Sequence, residues 1–370
     1  MTLLKLKPGG TIGIVGGGQL GQMMAASAKE MGFKVGILDP VENCPASQNS
    51  DWHIVADYQD VVALKKLAKQ ADLITYEFEN VSAKALKEII HQTPVPQGLN
   101  LLEITQDRLV EKNYLEELKI PIAPFKKVTN EKELQVAILE IGYPCVLKTV
   151  RGGYDGKGQK VLFSEEDIPA AEKILVHGIC ELEGFVDFEK EISIMVAGNG
   201  TEFTTFPVVE NRHVNNILHL TITKKNCELE KKAQEIGLKI AQGLHLHGCL
   251  GIEMFVSKDG KIFVNELAPR PHNSGHYSIE ACNFSQFTAH IRGICSWPLP
   301  KVELLKEAVM VNILGEHLEK TYDLIFQKPH WQFHYYGKSE AKVGRKMGHI
   351  TILTDNISAT LTEIEHTKIW

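Results

Sequence analysis

The chain has 370 residues, more than one hydrophobic core usually serves, and its 44% hydrophobic and 23% charged residues are those of a globular protein of two or three packed units. A formal charge of −6, with no run of five or more lysines and arginines, gives no electrostatic footprint for nucleic acid or an anionic membrane. Seven scattered cysteines without CxxC spacing argue against a disulfide framework and a zinc knuckle, and no stretch of about 18 apolar residues is present, so buried thiols in a reducing cytoplasm are expected.

The opening MTLLKLKPGG is too short in apolar length for a signal peptide. Thr11 to Val15 then reads as a strand, Gln19 to Met31 as a helix and Phe33 to Asp39 as a second strand. His53 to Asp57, Val61 to Gln70 and Asp72 to Glu77 continue the alternation, which predicts a parallel sheet of about four or five strands. TPVPQG (93–98) marks a boundary, and QDRLVEKNYLEEL (106–118) a helix that IPIAPF closes. CVLKT (145–149) and KVLF (160–163) flank GGYDGKGQ (152–159), so the glycines sit at a hairpin tip. CELEGFVDFEKEIS (180–193) is strand, turn and strand, Leu229 to Leu244 is a long amphipathic helix, and Leu250 to Leu267 is a hairpin with a DG turn. Beyond Pro298 and Pro300 the pattern turns to short strands.

Gly16, Gly18 and Gly21 satisfy GxGxxG between a strand and a helix, and Asp39 ends the next strand about twenty residues on, as a dinucleotide fingerprint requires. The motif taken alone says NAD-dependent oxidoreductase; physically it says only that helix N-terminal amides meet an anion, and a monophosphate fits as well. In GGYDGKGQ the lysine is followed by glycine and a second strand, which is not the strand–loop–helix order of a Walker loop. Close-approaching amides there suit a lid over phosphates, the alternative being an ordinary hairpin tip.

Glu253 and Glu266 fall on adjacent strands at positions that alternation turns to one face, where two carboxylates can hold magnesium. The ordinary reading is a solvated sheet face, but the loop that follows, with Arg270, His272, Asn273 and His276, looks built for a polar ligand. His272 and His276 have the spacing of a zinc pair, and the Asn-Ser-Gly between them breaks the helix such a pair needs. Backbone groups of Glu183 to Val186 suit an adenine edge and Glu191 suits ribose hydroxyls, although a charged edge strand is the commoner explanation of that segment.

QDRL, VLKT, GGYDGKGQ, ELEGFV with Glu191, GIEMF and VNELAPRPHNSGH stand in the order found in the ATP-grasp superfamily. With GGGQLG, TYEFENV (75–81), APRPHNSGH and GRKMGH (344–349), the chain resembles the N5-carboxyaminoimidazole ribonucleotide synthetase family over nearly its whole length. The resemblance implies a mixed α/β and α+β chain: a Rossmann-like pre-ATP-grasp domain over 1–104, an ATP-grasp domain over 105–298 with a glycine-rich lid at about 123–186, and a small β-rich domain over 299–370. It implies carboxylation of 5-aminoimidazole ribonucleotide by bicarbonate through carboxyphosphate, with ATP converted to ADP and phosphate, no biotin and no NAD. It further implies two Mg2+ ions, replaceable by Mn2+, a cytoplasmic homodimer, and no nucleic-acid or membrane partner.

By the same resemblance Arg108 and Lys148 contact ATP phosphates under the lid Gly153, Tyr154, Asp155, Gly156, Lys157, Gly158 and Gln159. Glu183, Gly184, Phe185 and Val186 line the adenine site, Glu191 holds the ribose, His213 and Asn265 assist, and Glu253 and Glu266 bind metal. Gly18, Gln19, Leu20, Glu77, Asn80, Arg345 and Lys346 take the ribonucleotide, and Tyr154, Asp155, Lys157, Arg270, His272, Asn273 and Lys346 surround bicarbonate and the amine. The alternatives are a formate-dependent glycinamide ribonucleotide transformylase of the same fold, the NAD-dependent oxidoreductase, and a nucleotide sensor without turnover.

Overall fold

The computed structural model describes residues 5–152 and 158–370. The expected lid residues Gly153, Tyr154, Asp155, Gly156 and Lys157 lie outside the described residues.

Strands β1 (Thr11–Val15), β2 (Lys34–Asp39), β3 (Trp52–Val55) and β4 (Leu73–Tyr76) form a four-stranded sheet in the order β3-β2-β1-β4, parallel throughout. Helices cover both of its faces, which is why β1, β2 and β4 read as nearly unbroken apolar runs. One face packs helix Gln19–Glu30 against helix Gln286–Ile294 through Met24, Ala28, Phe287 and Ile291. The other carries helix Val61–Gln70, begun by Asp60, whose carboxylate accepts from the amides of Val62 and Ala63.

A second four-stranded sheet, antiparallel, is built from β5 (Phe125–Val128), β6 (Cys145–Thr149), β7 (Gln159–Leu162) and β8 (Cys180–Gly184) in the order β5-β8-β6-β7. β6 and β7 are the expected hairpin, with Lys148 opposite Gln159. β8 lies inside this sheet, which overturns the charged-edge reading of CELEG: Glu181 and Glu183 are both buried.

The third sheet joins β9 (Phe188–Asn199), β10 (Phe203–Thr205), β11 (Val209–Val214), β12 (Ile217–Thr223), β13 (His247–Ser257), β14 (Ile262–Ala268), β15 (Glu307–Leu314), β16 (Gln332–Tyr335) and β17 (Lys346–Thr354). Helices Arg108–Glu117 and Glu230–Gly243 cover the β9–β13–β14 part through Leu115, Ala233, Ile240 and Ala241. β15 pairs with β12, so the sheet runs without a break into the C-terminal segment. That segment differs from the expected short strands: β15 has 8 residues and β17 has 9, and helices Leu318–Gln327 and Ile357–His366 pack on them with Trp331. All seven cysteines are free, and among the described residues no helix is long and apolar enough to cross a membrane.

The joint between the first unit and the large sheet is tight. A Cβ on Gly293 would stand 2.3 Å from the carbonyl oxygen of Gly198 and 2.6 Å from the amide nitrogen of Gly248, both backbone atoms that cannot yield. Gly293→Ala is therefore expected to destabilise the protein by about 2 kcal/mol, read as a lower urea midpoint at unchanged slope.

Candidate active site

A cleft of about 710 Å³ opens between the small antiparallel sheet, the large sheet and the first unit. The small sheet contributes Lys148, Gln159, Glu183 and Gly184, and the segment after β8 Phe185 and Val186; the large sheet contributes Glu191, His213, Glu253, Asn265, Glu266 and Lys346. Gln19, Leu20, Glu77 and Asn80 come from the first unit, Arg108 from the helix it begins, and Arg270, His272 and Asn273 from the loop after β14. Of the expected residues that are described, Gly18, Gly158 and Arg345 lie outside the lining; the Arg345 guanidinium donates to the Glu340 carbonyl on an exposed loop.

The small-sheet wall of the cleft is organised by a residue that carries no signal in the sequence. Lys112, 1% exposed, donates to Glu183 Oε1 at 2.7 Å and to the Asn265 carbonyl at 3.1 Å, tying the small sheet to β14. The second Glu183 oxygen accepts from Lys148. Burial opposes the charge on Glu183, yet these two ammonium groups hold its pKa well below the usual carboxylate range. The aromatic rings of Phe188 and Phe255, both in the lining, stack at 4.6 Å and 14° and give the wall an apolar face. Neither Lys112 nor the aromatic pair carries a motif; only their spatial neighbours mark them.

At the centre, Glu253 and Glu266 stand opposite each other in the β13–β14 register, as alternation predicts. The next pair is Met254 with Val264, so Asn265 is an extra residue in β14, a bulge that lets it line the cleft beside Glu266. Burial first, then the Glu266 charge, push the Glu253 pKa up to about 7 against the opposing charges of His213 and Lys346, and His272 Nε2 lies 3.2 Å from its Oε1. Arg108 reaches Glu266 at 3.4 Å. The buried Asn265 Oδ1 has no hydrogen-bond partner. Two facing carboxylates and an orphaned amide oxygen form an all-oxygen donor set that fits a hard divalent cation completed by phosphate oxygens and water. His213 Nδ1 lies 2.9 Å from Glu191 Oε2; burial alone would lower its pKa, and the Glu191 carboxylate raises it instead.

At the far end Arg270 makes a two-point contact with Glu79, Nε to Oε2 at 2.7 Å and Nη2 to Oε1 at 3.3 Å. Asn273 exchanges paired amide bonds with Asn312 of β15, at 3.0 and 2.8 Å. His276 is buried behind the loop and bonded to Gln286, so it is not a partner of His272 on one ligand. The glycine-rich turn is not free to take a dinucleotide: Glu77 accepts from the amides of Gly18 at 2.5 Å and Gly21 at 2.6 Å. Asp39 is likewise used up, accepting from the Gly17 amide and the Tyr58 hydroxyl, each at 2.7 Å. Lys338 is a further group without a sequence signal. Its Nζ donates to the Lys346 carbonyl at 2.8 Å, and burial, then the Arg345 charge, lower its pKa to about 8.

These features, with a match of residues 113–287 to the ATP-grasp domain and of 10–106 to the ribonucleotide synthetase preATP-grasp domain, define an ATP-grasp ligase. Residues 308–363 match the phosphoribosylaminoimidazole carboxylase C-terminal domain. N5-carboxyaminoimidazole ribonucleotide synthases of Staphylococcus aureus (strain MRSA252) and Staphylococcus haemolyticus (strain JCSC1435) are 45% and 46% identical over 362 residues, 97% of this chain and 97% of each relative. The crystal structure of an N5-carboxyaminoimidazole synthase of Aspergillus clavatus with ADP and 5-aminoimidazole ribonucleotide is 31% identical, with a TM-score of 0.91 and 97% of both chains covered. The chain belongs to the N5-carboxyaminoimidazole ribonucleotide synthase family.

Glu111, buried beside Glu266, offers a test of the charge crowding. Burial, then the Glu266 charge, raise its pKa from 4.5 to about 8, so in the folded protein it holds a proton that the unfolded chain gives up. Its contribution to stability is complete below about pH 4.5 and is lost as pH rises through about 8. Glu111→Gln should therefore gain stability relative to the parent between about pH 6 and about pH 9, measured as the difference in urea midpoints of the ligand-free proteins.

Proposed function

We propose that this protein carboxylates the exocyclic amine of 5-aminoimidazole ribonucleotide with bicarbonate at the expense of ATP, in de novo purine biosynthesis. A bicarbonate oxygen attacks the γ-phosphorus and ADP departs, leaving carboxyphosphate; the amine nitrogen then bonds to the carboxyl carbon, phosphate leaves and the amine loses a proton. The observation that carries this reading is the single cleft in which the nucleotide wall of Lys148 and Glu183, the facing Glu253 and Glu266, and the loop of Arg270, His272 and Asn273 follow one another.

Each group has a task on this reading. Lys148 and Arg108 meet the phosphates, and Lys112 keeps Glu183 and with it Lys148 in place. The backbone of Glu183 to Val186 takes the adenine edge, and Glu191, with His213, takes the ribose. Glu253, Glu266 and Asn265 hold two magnesium ions, which manganese can replace; the metal supplies positive charge to the phosphate oxygens. Arg270, His272 and Lys346, with the lid groups Tyr154, Asp155 and Lys157, surround bicarbonate and the amine and exclude water from the labile carboxyphosphate. With Gly18 and Gly21 occupied by Glu77, the amides of Gln19 and Leu20 are left for the ribonucleotide, along with Asn80, Lys346 and the nearby Lys338 and Arg345.

The full-length similarity to synthases, and the carboxylase C-terminal match, favour this acceptor over the formate-dependent transformation of glycinamide ribonucleotide. The occupied amides of the glycine turn count against an oxidoreductase. We also propose a cytoplasmic homodimer, by family analogy, divided at about residues 104 and 298.

Phosphate release from ATP and magnesium should rise strongly with 5-aminoimidazole ribonucleotide only when bicarbonate is present. No stimulation, with turnover instead on formate and glycinamide ribonucleotide, would move the function to the transformylase. Glu266→Ala should lower phosphate release by at least about a thousandfold while the protein stays folded, with a urea midpoint no lower than the parent's because one of the crowded charges is gone. Near-parental turnover in that variant would sink the metal assignment.

A further inference from the structure

A row of buried polar side chains runs under the active site toward Glu253, and its donors all point the same way. The Thr221 hydroxyl of β12 donates to Asn211 Oδ1 of β11 at 3.0 Å, and Asn211 Nδ2 donates to Ser193 Oγ of β9 at 2.9 Å. Ser193 Oγ in turn donates to Ser274 Oγ at 2.7 Å. Thr221, Asn211, Ser193 and Ser274 are all at most 5% exposed, so water does not compete for these bonds. Ser274 Oγ, already an acceptor, lies 2.9 Å from His272 Nδ1, and the backbone N–H of Ser274 approaches that same nitrogen at 3.3 Å. A backbone N–H can only donate, so Nδ1 is an acceptor. The ring proton then belongs on Nε2, the nitrogen 3.2 Å from Glu253 Oε1.

We infer that Ser274 and Ser193, backed by Asn211 and Thr221, are positioning residues that hold His272 as its Nε2–H tautomer, so that the nitrogen facing the metal carboxylates is a hydrogen-bond donor and not a proton acceptor. The inference rests on the proposed reaction for its meaning and on hydrogen-bond direction for its content. A donor at this place suits an oxygen of bicarbonate or carboxyphosphate as negative charge gathers there. A nitrogen that already carries its proton cannot receive the one the amine loses, so that proton leaves by another group. Ring placement is supported from below by Gly251, where a Cβ would come within 2.8 Å of His272 Cβ.

The test begins with the imidazole nitrogen spectrum of the ligand-free, nitrogen-15-labelled full chain, with His272→Asn assigning the two signals. Nδ1 should resonate as an unprotonated nitrogen and Nε2 as a protonated one; the reverse pattern overturns the inference. Asn211→Asp then removes the one amide donor, and its carboxylate accepts from both Thr221 and Ser193, turning the row around. His272 should shift toward the Nδ1–H form and kcat should fall roughly 10–100-fold with KM for ATP unchanged. Parental spectrum and parental kcat in that variant overturn it. Should Asn211→Asp fail to fold, Ser274→Ala should lower kcat and blur the tautomer signal, with Ser274→Thr restoring both, and an unchanged spectrum and kcat in Ser274→Ala overturn it equally. Because the spectrum is read without substrates, the tautomer stands or falls apart from the identity of the acceptor.

Discussion

Like-charge crowding between Glu253 and Glu266 is the constraint around which the cleft is arranged. Cross-strand pairing holds the two carboxylates side by side, a placement that costs stability unless a cation answers it. The protein answers only in part: Arg108 approaches Glu266, the charges of His213 and Lys346 do not overcome the burial and crowding of Glu253, and nearby Glu111 is forced toward its protonated form. The remaining deficit of positive charge, with an orphaned Asn265 oxygen beside it, is what a metal–nucleotide complex would satisfy. Binding and electrostatic relief are then one event, and the strained ligand-free site is the cost of having donors in place before the phosphates arrive.

The small-sheet wall of the cleft follows another rule, since there one carboxylate, Glu183, is answered by two ammonium groups. Lys112, Glu183 and Lys148 form a buried cation–anion–cation row, and the buried Glu181 interacts with all three. Anchoring Lys112 also to the Asn265 carbonyl couples the small sheet to β14, the strand that carries Glu266. A lysine on a flexible stem is thereby delivered in one position, which removes ordering cost from the bound state. The far end of the cleft is fixed by polar pairs, Arg270 with Glu79 and Asn273 with Asn312, each linking the loop after β14 to a different unit.

In the first unit a familiar motif has been turned to another use. The glycines of GGGQLG produce the tight strand–helix turn that their spacing predicts, but carboxylates of the protein itself, Asp39 and Glu77, occupy the amides that a dinucleotide phosphate would take. The same three glycines are compatible with either outcome, because the amides do not distinguish an internal carboxylate from an external phosphate.

Residue pattern by itself determined the parallel sheet, the helices after Asp60 and Asp107, the two hairpins and the facing of Glu253 and Glu266, because apolar periodicity and local capping act over a few residues. Motif order also marked most of the residues that line the cleft. Only the tertiary structure decided that β8 is an inner strand, that a bulge turns Asn265 to the same side as Glu266, and that the large sheet continues into the C-terminal segment. It alone brought in Lys112, Lys338 and the Ser193–Ser274 row, whose partners lie far away in sequence. The physical reason is range: periodicity and caps are written in neighbouring residues, whereas strand order, register slips and the burial of a charge depend on which distant segment packs against it.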